Sequence, residues 1–564
     1  MCSVLKFLSD IECDLYIDQK RCAYLKVGEI LKYEIRKGVY LIDFKVGDIN
    51  LFSDEFTINS DNEEYLYRFD YIARNSSSII RYKTTGKTQL APSSSIYAAT
   101  DFLRSIPNSE DCDDVLWISG FLPIIFHQCN EKGEGYIVSG SPITTIDSFL
   151  FSSCKNLVKV ILPETVSSIG ECAFCGCENL VQIDLPDALT TIAEDAFCGC
   201  KNLTQIVIPS NVISIGKSAF RGCPNLQFYG SLASEDHQCL ILNKSLLSFS
   251  ANGCQEYRIP EYVTTIVSDA FADSGLESII LPDSLESVSP YAFLGCDNLR
   301  FYGKNTSNDH RCIIIEGKLC TISFDSLDQY VIPSVVKSIG HSAFFGCKTL
   351  RNVVFPTQLL EIEEYAFYGC DELGRVTIPD SVLKIGEAAF GKCHKSQFYG
   401  KFASSDHCCL IVDGVLNSFA CGPTTEYLIP GGVTVIGPSS FRGSSQLEKL
   451  IIPEGVKEIA PYAFGECNNL SHVNLPSSLT KIEEYAFLCC FKLKTIILPM
   501  GLRSLVSNAI SSCDNIYSES SRPPKLVGYL RKNSMVFVRS ASHLSYRTAD
   551  GWKKYYYNIF VWEF

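Results

Sequence analysis

A 23-residue period running through most of the chain restricts its fold more than any other feature. Residues 162–184 (LPETVSSIGECAFCGCENLVQID), 185–207 and 452–474 match position for position. Thirteen such units begin at residues 139, 162, 185, 208, 259, 281, 332, 355, 378, 429, 452, 475 and 498, the one at 259 being a residue short. A fixed short period marks stacked units, each unable to bury its apolar face without its neighbours.

The unit can be read as a rung. Leu180-x-x-Ile183-x-Leu185 has strand spacing, with alternate side chains pointing in and out. Pro186 ends the strand, because it has no N–H to give to a ladder. Leu189 and Ile192 form a second inward pair, and the ring of Ala196-Phe197 fills the opposite side of the interior. Thirteen rungs at ~4.8 Å predict a solenoid about 60 Å long.

Cysteine usage follows the same logic. The chain has 27 cysteines, and eleven units place one three residues after the Phe of the Ala-Phe slot. Two units place Ser274 and Ser444 there instead. Serine makes neither a disulfide nor a thiolate ligand, so the slot predicts a small buried residue rather than a disulfide framework.

Three 28-residue inserts, 231–258, 304–331 and 401–428, interrupt the array, each after Phe-Tyr-Gly. In the third, Asp413-Gly414 separates Cys409–Val412 from Val415-Leu416, a hairpin signal. Each insert reads as a β-hairpin leaving the solenoid. The triplet phenylalanines, Phe228, Phe301 and Phe398, are expected in outward slots over the hairpin base.

The ends differ from the repeats. Residues 521–564 read as a C-terminal cap, with Met535–Val538 as a strand and Tyr555, Tyr556, Tyr557, Phe560, Trp562 and Phe564 as aromatic cover. Residues 1–75 show period-2 stretches at 15–17, 33–35 and 39–44, with Lys37-Gly38 between the last two. They read as a small antiparallel β domain. Residues 76–138 read as linker and N-terminal cap, with loop-like stretches at 76–78 and 91–95, a short helix at about 98–107 and the cap itself at 112–138. The expected fold is thus mostly β: a leucine-rich-repeat solenoid of about 13 rungs, three hairpin inserts and a small N-terminal β domain.

Catalytic motifs are missing from the sequence: no P-loop, no His-Glu-x-x-His and no Gly-x-Ser-x-Gly occurs. Net charge is -14, from 49 Lys and Arg against 63 Asp and Glu, which argues against non-specific nucleic-acid binding. The longest apolar stretch, near 115–126, falls short of the ~20 residues that span a bilayer. The start of the chain has no secretory pattern, since Asp10, Glu12 and Asp14 interrupt it. The expectation is therefore a cytoplasmic protein, or a secreted or surface one if the true start lies upstream.

Asp-His-x-Cys occurs once per insert, at Asp236–Cys239, Asp309–Cys312 and Asp406–Cys409. These are metal-ligand types, but zinc wants four ligands and each insert offers at most three. The other reading is hairpin architecture, with Asp accepting turn N–H groups and Cys in the core. No metal and no cofactor are expected. Glu363-Glu364 and Glu483-Glu484 occupy matching slots before Tyr-Ala-Phe and read as solvated turn residues.

The face of the long strand is the better candidate site. One outward column holds Lys159, Gln182, Gln205, Asn352, Arg375, Lys449, His472 and Thr495, with no acidic residue among them. The next holds Ile161, Asp184, Val207, Val354, Thr377, Ile451, Asn474 and Ile497. Basic, amide and apolar groups mixed on one face suit a protein interface. The first column is the expected binding site.

The recurring Pro, Ala-Phe, Cys and Asn-Leu pattern resembles the BspA-like leucine-rich repeats of Bacteroides-type gut bacteria. The tail, Tyr546–Trp552 followed by Asn558-Ile559, is similar to theirs. The resemblance implies a curved solenoid that binds proteins, often in adhesion to host surfaces, with no catalytic residues. Residues 14–18 and 37–40 resemble the PEGA-type β-sandwich, which implies a second non-catalytic module. The expected function is a non-catalytic protein-binding scaffold using its concave strand face. The alternatives are a surface adhesin or a glycan-binding module. The expected partner is a protein, a host or cell-surface one among the candidates, with no nucleic acid and no membrane insertion.

Overall fold

The computed structural model describes residues 141–562 except 324–326, 421, 423, 507 and 532. Before them it describes the strands between 3 and 139, the turn at 18–19 and Lys132. The helix expected at 98–107 and the loop at 76–78 lie outside the described residues. The chain divides into two compact units: residues 1–255, 265–275 and 292–295, and residues 256–264, 276–291 and 296–564.

The first unit begins with two small sheets. Lys20–Leu25, Cys13–Ile17, Gly38–Val46 and Ile49–Ile58 pair antiparallel in that order. Their inward residues include Leu15, Ile17 and Ile42. In the other sheet, Ser3–Ser9 lies antiparallel to Leu31–Ile35 but parallel to Glu64–Phe69. That parallel pair corrects the antiparallel expectation. So does the separation of 33–35 from 39–44 into different sheets, because matched alternation on either side of Lys37-Gly38 does not specify pairing partners. Of the stretch expected as loop at 91–95, residues 91–93 belong to the strand Gln89–Ser93, which is parallel to Val115–Ser119. The strand laid on the first rung is Ile79–Thr84, antiparallel to both Glu134–Ser139 and Leu157–Ile161.

Each rung then repeats one solution. A three-residue long strand such as Gln182–Asp184 stacks parallel on its neighbour, with Lys159 opposite Gln182 and Val160 opposite Ile183. Pro186 opens a turn whose carbonyl accepts the Leu189 N–H at 3.0 Å. Thr191–Ile192 joins a second parallel ladder with Ser168–Ile169 and Ser214–Ile215. The chain then swings through Ala196-Phe197 and Cys200, all fully buried.

Two columns lock the rungs together. The phenylalanines stack ring on ring: Phe151, Phe174, Phe197 and Phe220 are spaced 5.1, 5.2 and 5.4 Å between successive centroids. The second unit repeats this in Phe344, Phe367 and Phe390. Beside them the thiols donate to carbonyls. Cys177, Cys200 and Cys223 bond the carbonyls of Phe151, Phe174 and Phe197 at 3.0–3.2 Å, and Cys370, Cys393, Cys467 and Cys490 do the same in the second unit. The slot therefore takes a small residue that can also donate, which adds a cause to the size argument. The cysteines of this column are free and buried.

The inserts correct the sequence reading. Each contains a hairpin: Cys239–Leu242 with Ser245–Phe249, Cys312–Ile315 with Lys318–Ile322, and Cys409–Val412 with Val415–Phe419. The second hairpin strand does not leave the solenoid. It takes the short-strand place, pairing parallel with Thr265–Ile266, Ser338–Ile339 and Val435–Ile436 respectively. The last three insert residues, Glu256–Arg258, Gln329–Val331 and Glu426–Leu428, are long strands in register with the next rung. Each insert is thus a 28-residue rung. The tail adds two more long strands, Met535–Val538 and Ile559–Val561, stacked parallel after Asn515–Ser518. The rung count exceeds thirteen for these two reasons.

The triplet phenylalanines also change sides. Phe228, Phe301 and Phe398 are at most 1% exposed and face the core, and Tyr229, Tyr302 and Tyr399 face outward. The following Gly400 has φ +106°, and a Cβ there would lie 2.4 Å from the Ile378 carbonyl oxygen. Only glycine admits that approach.

A charge cluster ties three rungs of the second unit. Glu466 accepts from Lys392 and Arg442, both at 2.6 Å. Burial pushes its carboxyl up, but the two cationic partners outweigh that and hold it below its ordinary range. A depressed folded-state value contributes stability above the unfolded pKa, about 4.3, and loses it as pH falls. The urea midpoint is expected to fall less steeply between about pH 5 and pH 3 in Glu466→Gln than in wild type. Equal slopes would remove Glu466 from the acid response.

Candidate interaction face

The Asp-His-x-Cys motif of the inserts carries metal-ligand residue types. In each insert the His backbone is left-handed, with φ 62°, 58° and 62° at His237, His310 and His407. Its carbonyl accepts the N–H of Phe228, Phe301 or Phe398 at 2.8–2.9 Å. Its Nδ1 lies 3.1, 3.2 and 2.9 Å from the carbonyl of that same Phe. The imidazole so closes the long-strand edge at two points. The Asp carboxylate turns back into its own loop: Asp406 accepts from Ser404 Oγ, from the Cys408 N–H at 3.0 Å and from the Tyr427 hydroxyl at 2.9 Å. Cys239, Cys312 and Cys409 are fully buried. Asp, His and Cys thus address three different places. Among the described residues no three His, Cys, Asp or Glu side chains are grouped to hold a metal.

Glu363 is likewise not simply solvated. It accepts from Lys318 Nζ at 2.7 Å and from the His341 N–H at 2.9 Å. Glu483 pairs with Lys481. The Glu363 pair crosses strands, whereas Glu483 and Lys481 belong to the same rung, two residues apart. Burial raises the Glu363 carboxyl, but the Lys318 and His341 bonds leave it below its ordinary range, which suits a structural anion and not a proton donor.

On the long-strand face, seven of the eight first-column residues are exposed: Gln182, Gln205, Asn352, Arg375, Lys449, His472 and Thr495. Lys159 is half-buried, in register with Lys83 of the strand laid against the first rung. Lys159, Gln182 and Gln205 belong to the first unit and the other five to the second.

The strands contributed by the insert rungs complete the column and alter its charge. Glu426 stands directly opposite Lys449 and pairs with it at 2.5 Å, and Lys449 lies opposite His472. Glu256 stands in register with Ser278. The column is therefore not free of acid, because those strands sat inside the inserts when read from sequence. Arg375 lies over the ring of Tyr399, 4.0 Å from its centroid.

The second column holds the feature sequence reading undervalued. Leu428, Ile451, Asn474 in one sheet, and Ile497, Tyr517, Phe537, Phe560 in the next, run in register. Leu428 is 60% exposed, Ile451 50% and Ile497 49%. Glu426, Leu428, Lys449, Ile451, His472, Asn474, Lys494 and Ile497 line one groove. Phe560, expected as cap cover, belongs to this face: it is exposed and in register with Phe537, on which Tyr517 stacks at 4.6 Å. Tyr546, Trp552 and Tyr555 are the buried rings that close the core. The Glu-Tyr-Leu triplet at 426–428, shaped like the long strand of every other rung, was the signal that could have placed Leu428.

A family model described as BspA type leucine rich repeat region matches in six copies, over residues 125–233, 243–305, 320–399 and 416–531. The stretches that resemble a PEGA-type sandwich lie outside that match. Among solved structures, the chain is similar to a leucine rich cell surface protein from Faecalibacterium prausnitzii, at 21% identity and TM-score 0.33, covering 72% of this chain and 86% of that one. The pneumococcal vaccine antigen PcpA is 20% identical with TM-score 0.36, covering 57% and 93%. A leucine-rich repeat protein from Bacteroides ovatus is 23% identical with TM-score 0.26, covering 78% and 91%. No curated protein matches. No helix among the described residues is long and apolar enough to cross a membrane.

Proposed function

We propose that this chain, which belongs to the BspA-type leucine-rich-repeat family, is a non-catalytic scaffold that binds a protein on its long-strand face. The observation that carries the reading is the apolar pair Leu428 and Ile451, half or more exposed on paired strands, with Ile497 about half exposed in the same groove beside Lys449 and His472. Apolar surface held rigid on a sheet and rimmed by polar groups is what a protein interface needs, because little ordering entropy is lost on binding.

A protein fits this face better than a glycan. Sugars stack on open ring faces. The tyrosines of the three triplets present covered ones: His237, His310 and His407 pack against Tyr229, Tyr302 and Tyr399 at 4.2–4.4 Å, Arg375 covers Tyr399, and Tyr517 stacks on Phe537.

Crosslinked capture from whole source cells and from surface-protein fractions tests this with two variants, Arg375→Glu/Lys449→Glu and Leu428→Asp/Ile451→Asp. Both are expected to weaken capture of one protein at least tenfold, about 1.4 kcal/mol, with the circular dichroism spectrum unchanged. Equal capture by wild type and both folded variants would move the binding site off this face.

A further inference from the structure

Three half-buried thiols gather on the turn side of two adjacent rungs, where the column cysteines are buried. They are Cys172, Cys175 and Cys198. Cys172 and Cys175 flank Ala173-Phe174, both fully buried, so the backbone between them is fixed. The Cys175 N–H donates to the Cys172 carbonyl at 3.1 Å, which makes 172–175 a tight turn. In such a turn the end Cα atoms lie within about 7 Å, and disulfides span Cα separations of about 4.4–6.8 Å. Cys198 occupies the slot of Cys175 one rung on, and its carbonyl accepts the Gly176 N–H at 2.7 Å. Side chains in one slot of stacked parallel rungs run side by side at about 4.8 Å, wider than the ~3.8 Å Cβ separation of a disulfide.

We propose that Cys172 and Cys175 form a two-electron redox couple on this turn, oxidised by a low-molecular-weight disulfide such as glutathione disulfide. One protein thiolate attacks a sulfur of the oxidant. The oxidant S–S bond breaks, and the first glutathione leaves as a thiolate that takes up a proton. The second protein thiolate attacks the protein-bound sulfur, forms the Cys172–Cys175 bond and expels the second glutathione. The protein loses two protons and two electrons, and the oxidant gains them.

Burial, then the neighbouring Cys175 and Asp195, push the Cys172 thiol up to about 11. The reduced pair therefore gains none of the thiolate stabilisation that makes a couple strongly oxidising, and Cys172 is the slower attacking thiol. Metal capture is the weaker alternative, because no three ligating side chains are grouped here.

The test uses the folded full chain, equilibrated with dithiothreitol or with glutathione disulfide, then trapped with N-ethylmaleimide and read by peptide mass. In the reduced protein Cys172, Cys175 and Cys198 are expected to label, and Cys177 and Cys200 not. After glutathione disulfide, label should vanish from Cys172 and Cys175 together, with a loss of two hydrogens in their peptide, and persist on Cys198. Cys172→Ser should leave Cys175 holding a glutathione adduct, and Cys198→Ser should oxidise like wild type. Persistent label on Cys172 and Cys175, or a Cys175–Cys198 link, would overturn the proposal.

Discussion

Phe197→Ala is expected to destabilise the first unit by about 3–5 kcal/mol. The ring is fully buried and sandwiched between Phe174 at 5.2 Å and Phe220 at 5.4 Å, nearly parallel to both. Truncation leaves a cavity that the neighbours cannot fill, because the rung backbones are tied by the Phe197 N–H to the Ala219 carbonyl and by Cys223 Sγ to the Phe197 carbonyl. Two ring contacts of about 0.5–1.5 kcal/mol each go with it. Phe197→Leu keeps most of the volume and should cost less than half as much. In a repeat array the loss stays local. Hydrogen exchange should therefore accelerate within the apolar cluster that runs from Ile80 to Leu240, and not in the one from Cys312 to Ala420. A cost under about 1 kcal/mol would mean that the ring column does not hold the rungs.

The period made most of this architecture legible. The inward positions of Ile183, Leu189, Ile192, Phe197 and Cys200 follow from spacing alone, since one unit must cover the next. The inserts were legible as hairpins through Asp413-Gly414, whose φ values of 49° and 78° are those the turn needs. Their place in the ladder was not legible. A strand's local pattern says which side chains alternate, but not which edge it joins, and Ser245–Phe249 pairs both antiparallel with its hairpin mate and parallel with Thr265–Ile266. The same limit moved Phe228 from outside to inside, because slipping a period-2 register by one residue exchanges the two faces. On the face, first-column exposure was readable. The apolar runs Leu428 to Ile451 and Ile497 to Phe560 were not, because they need the insert strand and the tail strands in their ladders. The Asp-His-x-Cys motif shows how chemistry read from residue types can dissolve: a ring nitrogen spent on a backbone carbonyl is no longer a ligand.

Trp552→Ala should open the far end of the array. Terminal rungs have a neighbour on one side only, so the cap supplies the contacts that a further rung would have made. Trp552 is fully buried, donates Nε1–H to the Pro524 carbonyl at 2.7 Å, and packs edge-on against Tyr546 at 5.0 Å. Tyr546 in turn bonds Ser518 Oγ at 2.6 Å, which ties the helix His543–Thr548 to the strand Asn515–Ser518. Removing the indole costs about 3–5 kcal/mol of packing and leaves a buried carbonyl unpaired, about 1–3 kcal/mol more. Trp552→Phe separates the two contributions, since it retains ring volume but loses the donor, and should show chiefly the smaller cost. The apolar cluster from Cys408 to Ile559 is continuous, so the opening is expected to spread: exchange protection should fall at the ladder strands Glu458–Ile459 and Lys481–Ile482 as well as at Met535–Val538. If protection falls only after residue 515, the rungs hold without the cap and the tail is an independent module.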